Sequence, residues 1–449
     1  MKRGLNTMKR ALLLTTTVML VSSFIAGCSS TKDTAATVSK SPSSSTAATT
    51  KAPAKDVKLT MSIWGTEEQK KMYEDMIANY RKTKPNVSVE IMIIPSADYL
   101  QKMSVMFASK TAPDLIWMLE RGIPQFLEAG QMEDISAIKS DAAFDMSDII
   151  PSSLELVTKN DKLYGVAFST PPNMIYYNKN LFKAKNLKTP TELYKEGNWT
   201  YDEMNKAAIA ITQPDKGIYG MNLIRPGGWG RSWLESLQTL VWAYGSDFFT
   251  RDGKKVALNT PQGQQALQFF SDSMFKTKVH PKPGDQTGFE SGKIGMQQDL
   301  LSYMGKAKAV KDFEWDIAPM PKAAGGQGTT LGYAAYMVPK GNANTAEAIE
   351  LLKFLSNKEN TTIASQYFVP SRKTVLNSEG FLKQGPSPES MKMAVIDQIA
   401  GGRVRQGFVN FQKIDDKMKL HFDAIYSQAG TIPEIFKKLE TDVNAILAE

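Results

Sequence analysis

The stretch VKLTMSIWGTEEQKKMYEDMIANYRKTKPNVSVEIMIIP, residues 57–95, decides the fold of this chain. Apolar and polar residues alternate over 57–63 and again over 87–93, and this period of two predicts two strands. Between them, apolar residues recur at helical spacing, and Thr66 stands three residues before Gln69 in a capping-box pattern. A strand, a helix and a strand over about 40 residues predict a βαβ unit with a parallel sheet and a right-handed crossover.

A binding cleft is expected at one edge of this sheet. A third short apolar run, 115–118, follows a helix-like segment at 99–107 and extends the sheet. Polar or aromatic residues follow two of the strands, at 64–67 and 117–121. Ligands of open α/β sheets bind at the carboxyl ends of the strands. No G-x-G-x-x-G turn follows the first strand, so a dinucleotide cofactor is not indicated, and no cofactor is expected.

The first residues, 1–27, resemble a bacterial lipoprotein signal peptide rather than part of the fold. Basic residues cluster within 2–10, and an apolar run of about 16 residues follows, too short for a membrane-spanning helix. The run ends Ile-Ala-Gly-Cys at 25–28, which resembles a lipobox, and Cys28 is the only cysteine of the chain. We expect Cys28 to be lipidated; the alternative is an ordinary secretory peptide with an incidental cysteine.

Residues 28–56 are rich in Ser, Thr and Ala and are expected to form a flexible tether between the anchor and a folded region. The rest of the chain is too long for one core, which predicts two lobes. The formal net charge is +8, of which the basic residues of the signal peptide contribute four. The remaining bias is mild and no basic run is interleaved with aromatics, so nucleic-acid binding is not expected.

The most aromatic part of the chain follows a glycine-rich loop at 226–230. It contains Trp229, Trp233 and Trp242. A tryptophan ring can stack on the apolar C–H face of a sugar, whose hydroxyls then need polar partners. The alternative is that these rings form the core face of a helix, and both interpretations stay open at this point.

Several motifs together resemble the extracellular solute-binding proteins of ABC importers. They are APDLIWM, LYGVAF, IYYNKNLF, WTYDE, FESGKIGM, LGYAAYMVP and FVPSRKTV, in that order after the lipobox and the tether. Within that group the chain is most similar to family 1, whose members take up sugars and resemble maltose-binding protein. The resemblance implies an α/β fold of the two-lobed periplasmic-binding-protein type (type II), and it covers nearly the whole mature chain.

The resemblance also implies three hinge crossings between the lobes. They map near 168–173, 318–321 and 370–374, and proline is present at all three. The implied division of the chain places 57–168 with 320–370 in lobe 1, and 169–319 with 371–449 in lobe 2.

The function implied by the resemblance is capture of a sugar by lobe closure and delivery to an ABC permease. The protein would act as a monomer on the extracellular face of the cell membrane. The ligand-binding residues implied by position are Trp64, Glu67, Glu120, Arg121, Asn173, Trp229, Trp233, Asp299, Tyr333 and Arg372. Structural alternatives exist for several of them. Glu67 would otherwise be a first-turn helix charge, Glu120 and Arg121 a surface ion pair, and Arg372 part of an interlobe salt bridge.

Two other classes of function remain open from the sequence. A tethered glycan-active enzyme would also show aromatic residues and paired carboxylates, such as Glu67 with Glu120. The chain has no G-x-S-x-G or H-E-x-x-H motif, and its only histidines, His280 and His421, are isolated, so neither catalytic residues nor a metal site is expected. A binder of a non-sugar solute such as a peptide is the third possibility.

Overall fold

The structure, a computed structural model, describes residues 55–449 except Ala97. The predicted signal peptide, Cys28 and nearly all of the tether lie outside the described residues. Within the described part of the chain, no helix is both long and apolar enough to cross a membrane.

Nine strands build the two main sheets of the described chain. They are β1 Val57–Ile63, β2 Val87–Ile93, β3 Leu115–Leu119, β4 Gly165–Ser169, β5 Met174–Asn178, β6 Tyr219–Asn222, β7 Ile294–Asp299, β8 Trp315–Pro319 and β9 Ala334–Met337. One sheet has the order β2-β1-β3-β9-β4, and the other has the order β8-β5-β7-β6. Each sheet has its own apolar core, so the molecule has a first lobe around the five-stranded sheet and a second lobe around the four-stranded sheet.

The opening βαβ unit forms as predicted. β1 and β2 pair in parallel in register from Val57 opposite Val87 to Ile63 opposite Ile93, and β3 joins β1 in parallel. The helix Glu67–Thr83 between them starts with the complete capping box of Thr66 and Gln69 and buries its apolar face. Strand β9, which comes from much later in the chain, pairs antiparallel with both β3 and β4 and completes the first sheet.

The second sheet is centred on β5 and β7, whose residues are almost all buried. β5 pairs antiparallel with β8 and β7, and β7 pairs in parallel with β6. Trp199 packs in this core and donates its indole N–H to the backbone oxygen of Pro319 at 2.9 Å. β7 thus ends at Asp299 within a well-packed sheet.

Helices cover both sheets. They are Glu67–Thr83, Tyr99–Ala108, Ile123–Glu128, Lys179–Ala184, Pro190–Lys195, Tyr201–Ile211, Ser232–Glu235, Leu237–Ala243, Pro261–Phe275, Met304–Ala309, Thr345–Leu355, Lys358–Ala364, Lys373–Leu376, Glu379–Leu382, Pro388–Met391, Asp397–Ile399, Phe411–Tyr426 and Ile432–Leu447. The last helix begins with a complete capping box of Thr431 and Glu434.

The first two passages of chain between the lobes run side by side. β4 ends at Ser169 and β5 begins at Met174, so the first crossing lies where the prolines predicted it. Asn173 N–H donates to the backbone oxygen of Thr330 at 2.9 Å, and Gly332 N–H donates to that of Pro171 at 2.8 Å. The two passages therefore form a short antiparallel ribbon.

The second passage lies further along the chain than the predicted 318–321. After β8 the backbone stays on the second lobe, where Lys322 N–H donates to Trp199 O and Gly325 N–H donates to Ala243 O. It enters the first sheet only at Ala334. The prolines at the end of β8 mark the end of a strand, and a short hairpin follows before the chain crosses. At the third crossing, Thr170 N–H donates to Val369 O at 3.3 Å.

Candidate ligand-binding site

A cavity of about 270 Å³ opens between the two lobes, beside the first two crossings. Side chains that follow β1, β3 and β4 line it from the first lobe, and the carboxyl end of β7 lines it from the second. Six predicted site residues lie in its wall: Trp64, Glu120, Arg121, Asn173, Asp299 and Tyr333. The rule that ligands bind at the carboxyl ends of strands thus locates the cleft.

An aromatic cluster forms the first-lobe wall. The Trp64 ring meets Trp117 edge to face at 4.9 Å between centroids and Tyr99 at 5.0 Å. Phe168 packs on Trp117 at 4.8 Å, and Phe368 meets Phe168 edge to face at 5.1 Å. Three of these rings, Trp64, Phe168 and Phe368, line the cavity. Their packing on the other rings of the cluster fixes their positions.

Amides and a carboxylate face this wall from the second lobe. The side-chain amide of Asn173 donates to the Thr330 hydroxyl, and Gln298 Nε2 donates to Ser236 O at 2.9 Å. Asp299 Oδ1 accepts from Leu300 N–H at 2.9 Å. These contacts hold polar groups in fixed orientations at the cavity.

Asp299 sits in an unusual electrostatic environment. Burial raises the pKa of its carboxyl to about 6, and the nearby Arg225, whose Nε lies 3.6 Å from Oδ2, opposes the shift. Arg225 itself is half exposed at the rim. A buried carboxyl beside a partly solvated guanidinium is a ready partner for ligand hydroxyls.

Two neighbouring residues at the end of β3 form ion pairs with residues beyond the first sheet. Glu120 Oε1 lies 2.8 Å from Arg405 Nη2, and Arg121 Nη1 lies 3.7 Å from Glu235 Oε1. Burial lowers the pKa of Arg121, while the carboxylates of Glu120 and Glu235 oppose that shift. The predicted alternative of a surface ion pair is wrong, because Glu120 and Arg121 are both nearly inaccessible and do not pair with each other.

Tyr333 lines the cavity with its ring, but its hydroxyl is already engaged. It donates to the backbone oxygen of Ser153 at 2.6 Å, and burial raises the pKa of the phenol far above its usual range. The residue can therefore offer an apolar surface to a ligand, while its hydroxyl anchors the crossing to the first lobe.

The structure does not place Glu67 or Arg372 in the cleft. Glu67 is the exposed first residue of its helix and lies in a separate surface groove with Ile363 and Tyr367, where the helix dipole favours its charge. Arg372 is buried in the first lobe and donates to Phe144 O at 2.7 Å, with Asp148 Oδ2 at 3.4 Å. Its position beside a crossing suggested a cleft residue, but its guanidinium binds the backbone of the first lobe.

The two predicted tryptophans of the glycine-rich region also lie outside the cavity. Trp233 packs between Phe248 and Phe411 in the second core and donates its indole N–H to Asp415 at 2.8 Å. Trp229 is half-buried against Tyr426, at 5.0 Å between centroids, and its ring does not line the cleft. The core interpretation is therefore correct for Trp233.

Several cavity residues were not predicted from the sequence. They are Phe168, Arg225, Glu235, Gln298, Phe368 and Arg405. Arg225 directly precedes the glycine-rich loop, and Gln298 precedes Asp299 on the same strand. Both therefore adjoin residues that the sequence analysis had singled out. Phe368 begins the FVPSRKTV motif beside the predicted third crossing, which could have indicated it. Arg405 had no local signal, because it reaches the cleft through contacts with distant parts of the chain.

The described residues contain no cluster of three or more His, Cys, Asp or Glu side chains arranged to hold a metal ion. His280 is buried, and its Nε2 accepts the N–H groups of Leu223 and Ile224. His421 lies 3.0 Å from Asp442 on the last helix pair. Both histidines have structural partners.

Comparison with known proteins gives a family and a fold. Residues 64–362 match the model of the bacterial extracellular solute-binding protein family. The arabinooligosaccharide-binding protein of Bacillus subtilis (strain 168) is 23% identical over 447 residues, covering 92% of this chain and 94% of that protein. The galactooligosaccharide-binding protein of the same organism is 23% identical over 348 residues, covering 72% and 75%.

Solved structures agree on the fold. An ABC substrate-binding protein from Listeria monocytogenes in complex with cycloalternan superposes with a TM-score of 0.77 at 21% identity, over 88% of this chain and 99% of that one. The maltose-bound T. maritima MalE3 superposes with a TM-score of 0.74 at 21% identity, over 87% of this chain and 100% of that one. The two-lobed α/β fold predicted from the sequence is confirmed, and the family match shows that this chain belongs to the bacterial extracellular solute-binding proteins.

Proposed function

We propose that this protein captures a carbohydrate between its two lobes and delivers it to an ABC importer. The observation on which the proposal rests is the composition of the cavity, where the rigid aromatic wall of Trp64, Phe168 and Phe368 faces Asn173 and Asp299. An apolar wall suits the C–H face of a sugar ring, and oriented amides and carboxylates suit its hydroxyls. The sugar ligands named for the related proteins support the same assignment.

Lobe closure would supply the binding mechanism. A ligand that touches both walls interacts with more groups in the closed form than in the open form, and this differential affinity favours closure. The closed, loaded protein would then dock on the membrane permease as a monomer. No chemistry on the ligand is part of the proposal, because the pair of Glu67 and Glu120 that would have suited a glycosidase is not assembled.

We further propose that a lipid on Cys28 and the tether of residues 28–56 hold the protein at the extracellular face of the cell membrane. The lipobox-like sequence before the only cysteine supports this assignment. Mass spectrometry of the N-terminal peptide from the full-length protein expressed in a bacterial host would show a diacylglycerol-modified cysteine. An unmodified Cys28 within an intact or differently cleaved N-terminus would contradict it.

Calorimetric titration and thermal melting of the mature protein against neutral sugars and tripeptides test the ligand class. A sugar is expected to raise the melting midpoint and to release heat on binding, whereas the tripeptides should do neither. Trp64→Ala should weaken sugar binding about tenfold through loss of the ring contact. Trp315→Ala, on a half-buried ring of β8 outside the cavity, is the matched control and should leave affinity unchanged.

Two results would contradict the proposal. Binding of tripeptides with no sugar binding would favour the peptide-binding alternative. Release of shorter sugars from an oligosaccharide incubated with the protein would favour the enzyme, since a binding protein returns its ligand intact.

A further inference from the structure

A second chamber adjoins the first cavity and also lies between the lobes. Its volume is about 600 Å³, and it shares Ser96 and Arg121 with the first cavity. Its first-lobe wall comes from the helices Tyr99–Ala108 and Ile123–Glu128, and its second-lobe wall comes from the start of the helix Phe411–Tyr426. Neither the sequence motifs nor the proposed sugar site accounts for this space.

The polar lining of the chamber is rich in uncharged hydrogen-bonding groups. Gln101, Ser104 and Gln125 line it from the first lobe, and Asn410 and Gln412 line it from the second. Gln125 donates to Ser104 Oγ at 3.1 Å, Ser104 Oγ donates to Leu100 O at 2.9 Å, and Gln412 donates to Asp416 at 3.1 Å. The amide oxygens of Gln125 and Gln412 and the side-chain amides of Gln101 and Asn410 are left for a ligand. Amides and hydroxyls both donate and accept, as do the hydroxyls of a sugar.

Backbone donors add to this lining. The first N–H groups of a helix have no intrahelical acceptor, and the side chain of Asn410 does not cap the helix Phe411–Tyr426. The residues of that first turn, Phe411, Gln412 and Lys413, line the chamber. The start of a helix of 16 residues thus presents unused donors to the space between the lobes.

Arg121 provides an independent indication of a ligand. Its side chain is 5% exposed and lines both cavities, and within the described residues its Nε has no hydrogen-bond partner. A buried N–H group without an acceptor costs free energy, so a ligand atom that accepts from the Arg121 Nε–H would be stabilised here. Since Arg121 stands where the two cavities meet, a ligand that passes from one to the other would lie against it.

The charges of the chamber favour a neutral ligand. Arg121 pairs with Glu235 at 3.7 Å, and Arg231 pairs with Asp415 at 3.4 Å. Lys413 pairs with Glu449. Each of these lining cations already faces a carboxylate, and Asp416 adds a further lining carboxylate, which accepts from Gln412 Nε2 at 3.1 Å. The chamber therefore has no excess of positive charge to select an anionic group.

We propose that the second chamber is a ligand subsite and that the protein takes a neutral oligosaccharide, whose chain passes Arg121 from the first cavity into the second. This inference rests on the proposed sugar-binding function. The first cavity alone, at about 270 Å³, is slightly smaller than the usual range for ligand sites of about 300–1,000 Å³, and the second chamber supplies additional room. A single sugar ring would leave the polar lining of the second chamber unused.

Titration calorimetry of the mature protein with sugars of increasing length tests the inference. The probes are glucose, galactose and arabinose, each with its linear di-, tri- and tetrasaccharide. The affinity for one series is expected to rise at least tenfold from the monosaccharide to the trisaccharide or tetrasaccharide. This comparison needs no variant and is independent of any effect on folding.

A double variant, Gln101→Ala with Gln125→Ala, localises the effect. Loss of two hydrogen-bonding groups should weaken the longest ligand of that series by about tenfold and leave the shortest ligand that binds unchanged. Gln268→Ala, at an exposed position on the helix Pro261–Phe275 that lines neither cavity, is the matched control and should change neither affinity.

The outcomes separate the inference from the function on which it rests. A monosaccharide that binds as tightly as its tetrasaccharide would overturn the second subsite and leave sugar binding intact. The same holds if the double variant weakens all ligands of the series equally. Failure of every sugar in the panel to bind would instead count against the proposed function itself.

Discussion

Glu120 Oε1 lies 2.8 Å from Arg405 Nη2, and both side chains are almost fully buried although 284 residues separate them in the chain. Breaking a buried ion pair leaves one charge without its partner. We therefore expect Arg405→Met to lower the free energy of unfolding by about 3–5 kcal/mol. Urea denaturation at pH 7 measures this loss.

Two further variants test the cause of that loss. Glu120→Gln combined with Arg405→Met removes both charges and should recover most of the stability. Lys58→Met, which breaks the exposed pair of Lys58 and Glu90 at 2.8 Å, should have no measurable effect. Equal destabilisation by Arg405→Met and Lys58→Met would contradict the argument from burial.

The carboxyl of Asp299 predicts one contribution to the pH dependence of stability. Its pKa is raised to about 6 by burial, so the folded state binds a proton more tightly than the unfolded state does. The stability associated with this proton is fully present below about pH 4 and is lost as the pH rises through 6. Between pH 4 and pH 7, the free energy of unfolding of Asp299→Asn should therefore rise by up to about 3 kcal/mol relative to that of the wild type.

The measurement is a comparison of the two proteins by urea denaturation at several pH values. Working with the difference removes the contributions of all other titrating groups. A constant difference from pH 4 to pH 7 would show that the Asp299 carboxyl is ionised throughout this range in the folded protein.

His280 predicts a contribution of opposite sign. Burial lowers the pKa of its imidazole to about 4, and the neutral ring is needed because Nε2 accepts two backbone N–H groups. Here the unfolded state binds the proton more tightly, so stability is present above about pH 6.5 and is lost as the pH falls towards 4. As the pH falls over this interval, the free energy of unfolding of the wild type should drop by about 3 kcal/mol relative to that of His280→Gln.

The same denaturation series checks this expectation, with Asp299→Asn as a control for the direction of the effect. NMR titration of the His280 ring protons gives a direct second readout. A ring that titrates near pH 6.5 in the folded protein would contradict the structural role assigned to it.

Arg372 is expected to affect stability without affecting ligand binding. Its guanidinium donates to Ser356 O at 2.6 Å and to Phe144 O at 2.7 Å, and it faces the buried Asp148. Arg372→Met should lower the free energy of unfolding by about 3 kcal/mol because these groups lose their partner. Sugar affinity measured below the unfolding transition should not change.

The neighbouring residue offers a control. Lys373 is exposed, and its ammonium group donates to Ser147 O at 2.8 Å on the surface. Lys373→Met should therefore change neither stability nor affinity appreciably. A tenfold loss of sugar affinity in Arg372→Met alone would restore Arg372 to the ligand site.

Local patterns predicted the frame of the molecule well. The alternation in β1 and β2 and the capping box at Thr66 depend on neighbours within a few residues, and the structure confirms both. The predicted edge of the cleft followed from these strands, and Trp64 and Glu120 line the cavity there, while their contact with a ligand stays a prediction.

Side-chain roles that depend on distant partners were not predictable in the same way. The sequence left both a ligand contact and a core position open for Trp233. Its packing on Phe248 and Phe411 and its contact with Asp415, far along the chain, place it in the core. Arg405 reaches Glu120 because residues 403–404 pair with 330–331 beside the crossings. No local pattern records such a partnership.

The second crossing shows a related difficulty. Prolines at the end of β8 indicated a change of lobe, but the same residues also suit the end of a strand followed by a hairpin. Whether the chain crosses depends on what residues 322–331 pack against, and that is a property of the second lobe. The prolines therefore predicted the end of the strand, but not whether the chain crosses to the other lobe there.

The ribbon formed by the first two crossings restricts how the lobes can move. Two strands tied together by the Asn173–Thr330 and Gly332–Pro171 hydrogen bonds bend across their width more easily than they slide past one another. We therefore expect one lobe to rotate relative to the other mainly about a single axis, across the width of this ribbon. Each closing movement would then bring the same faces together in the same alignment, and we expect the spacing between the two walls to decide which ligands fit.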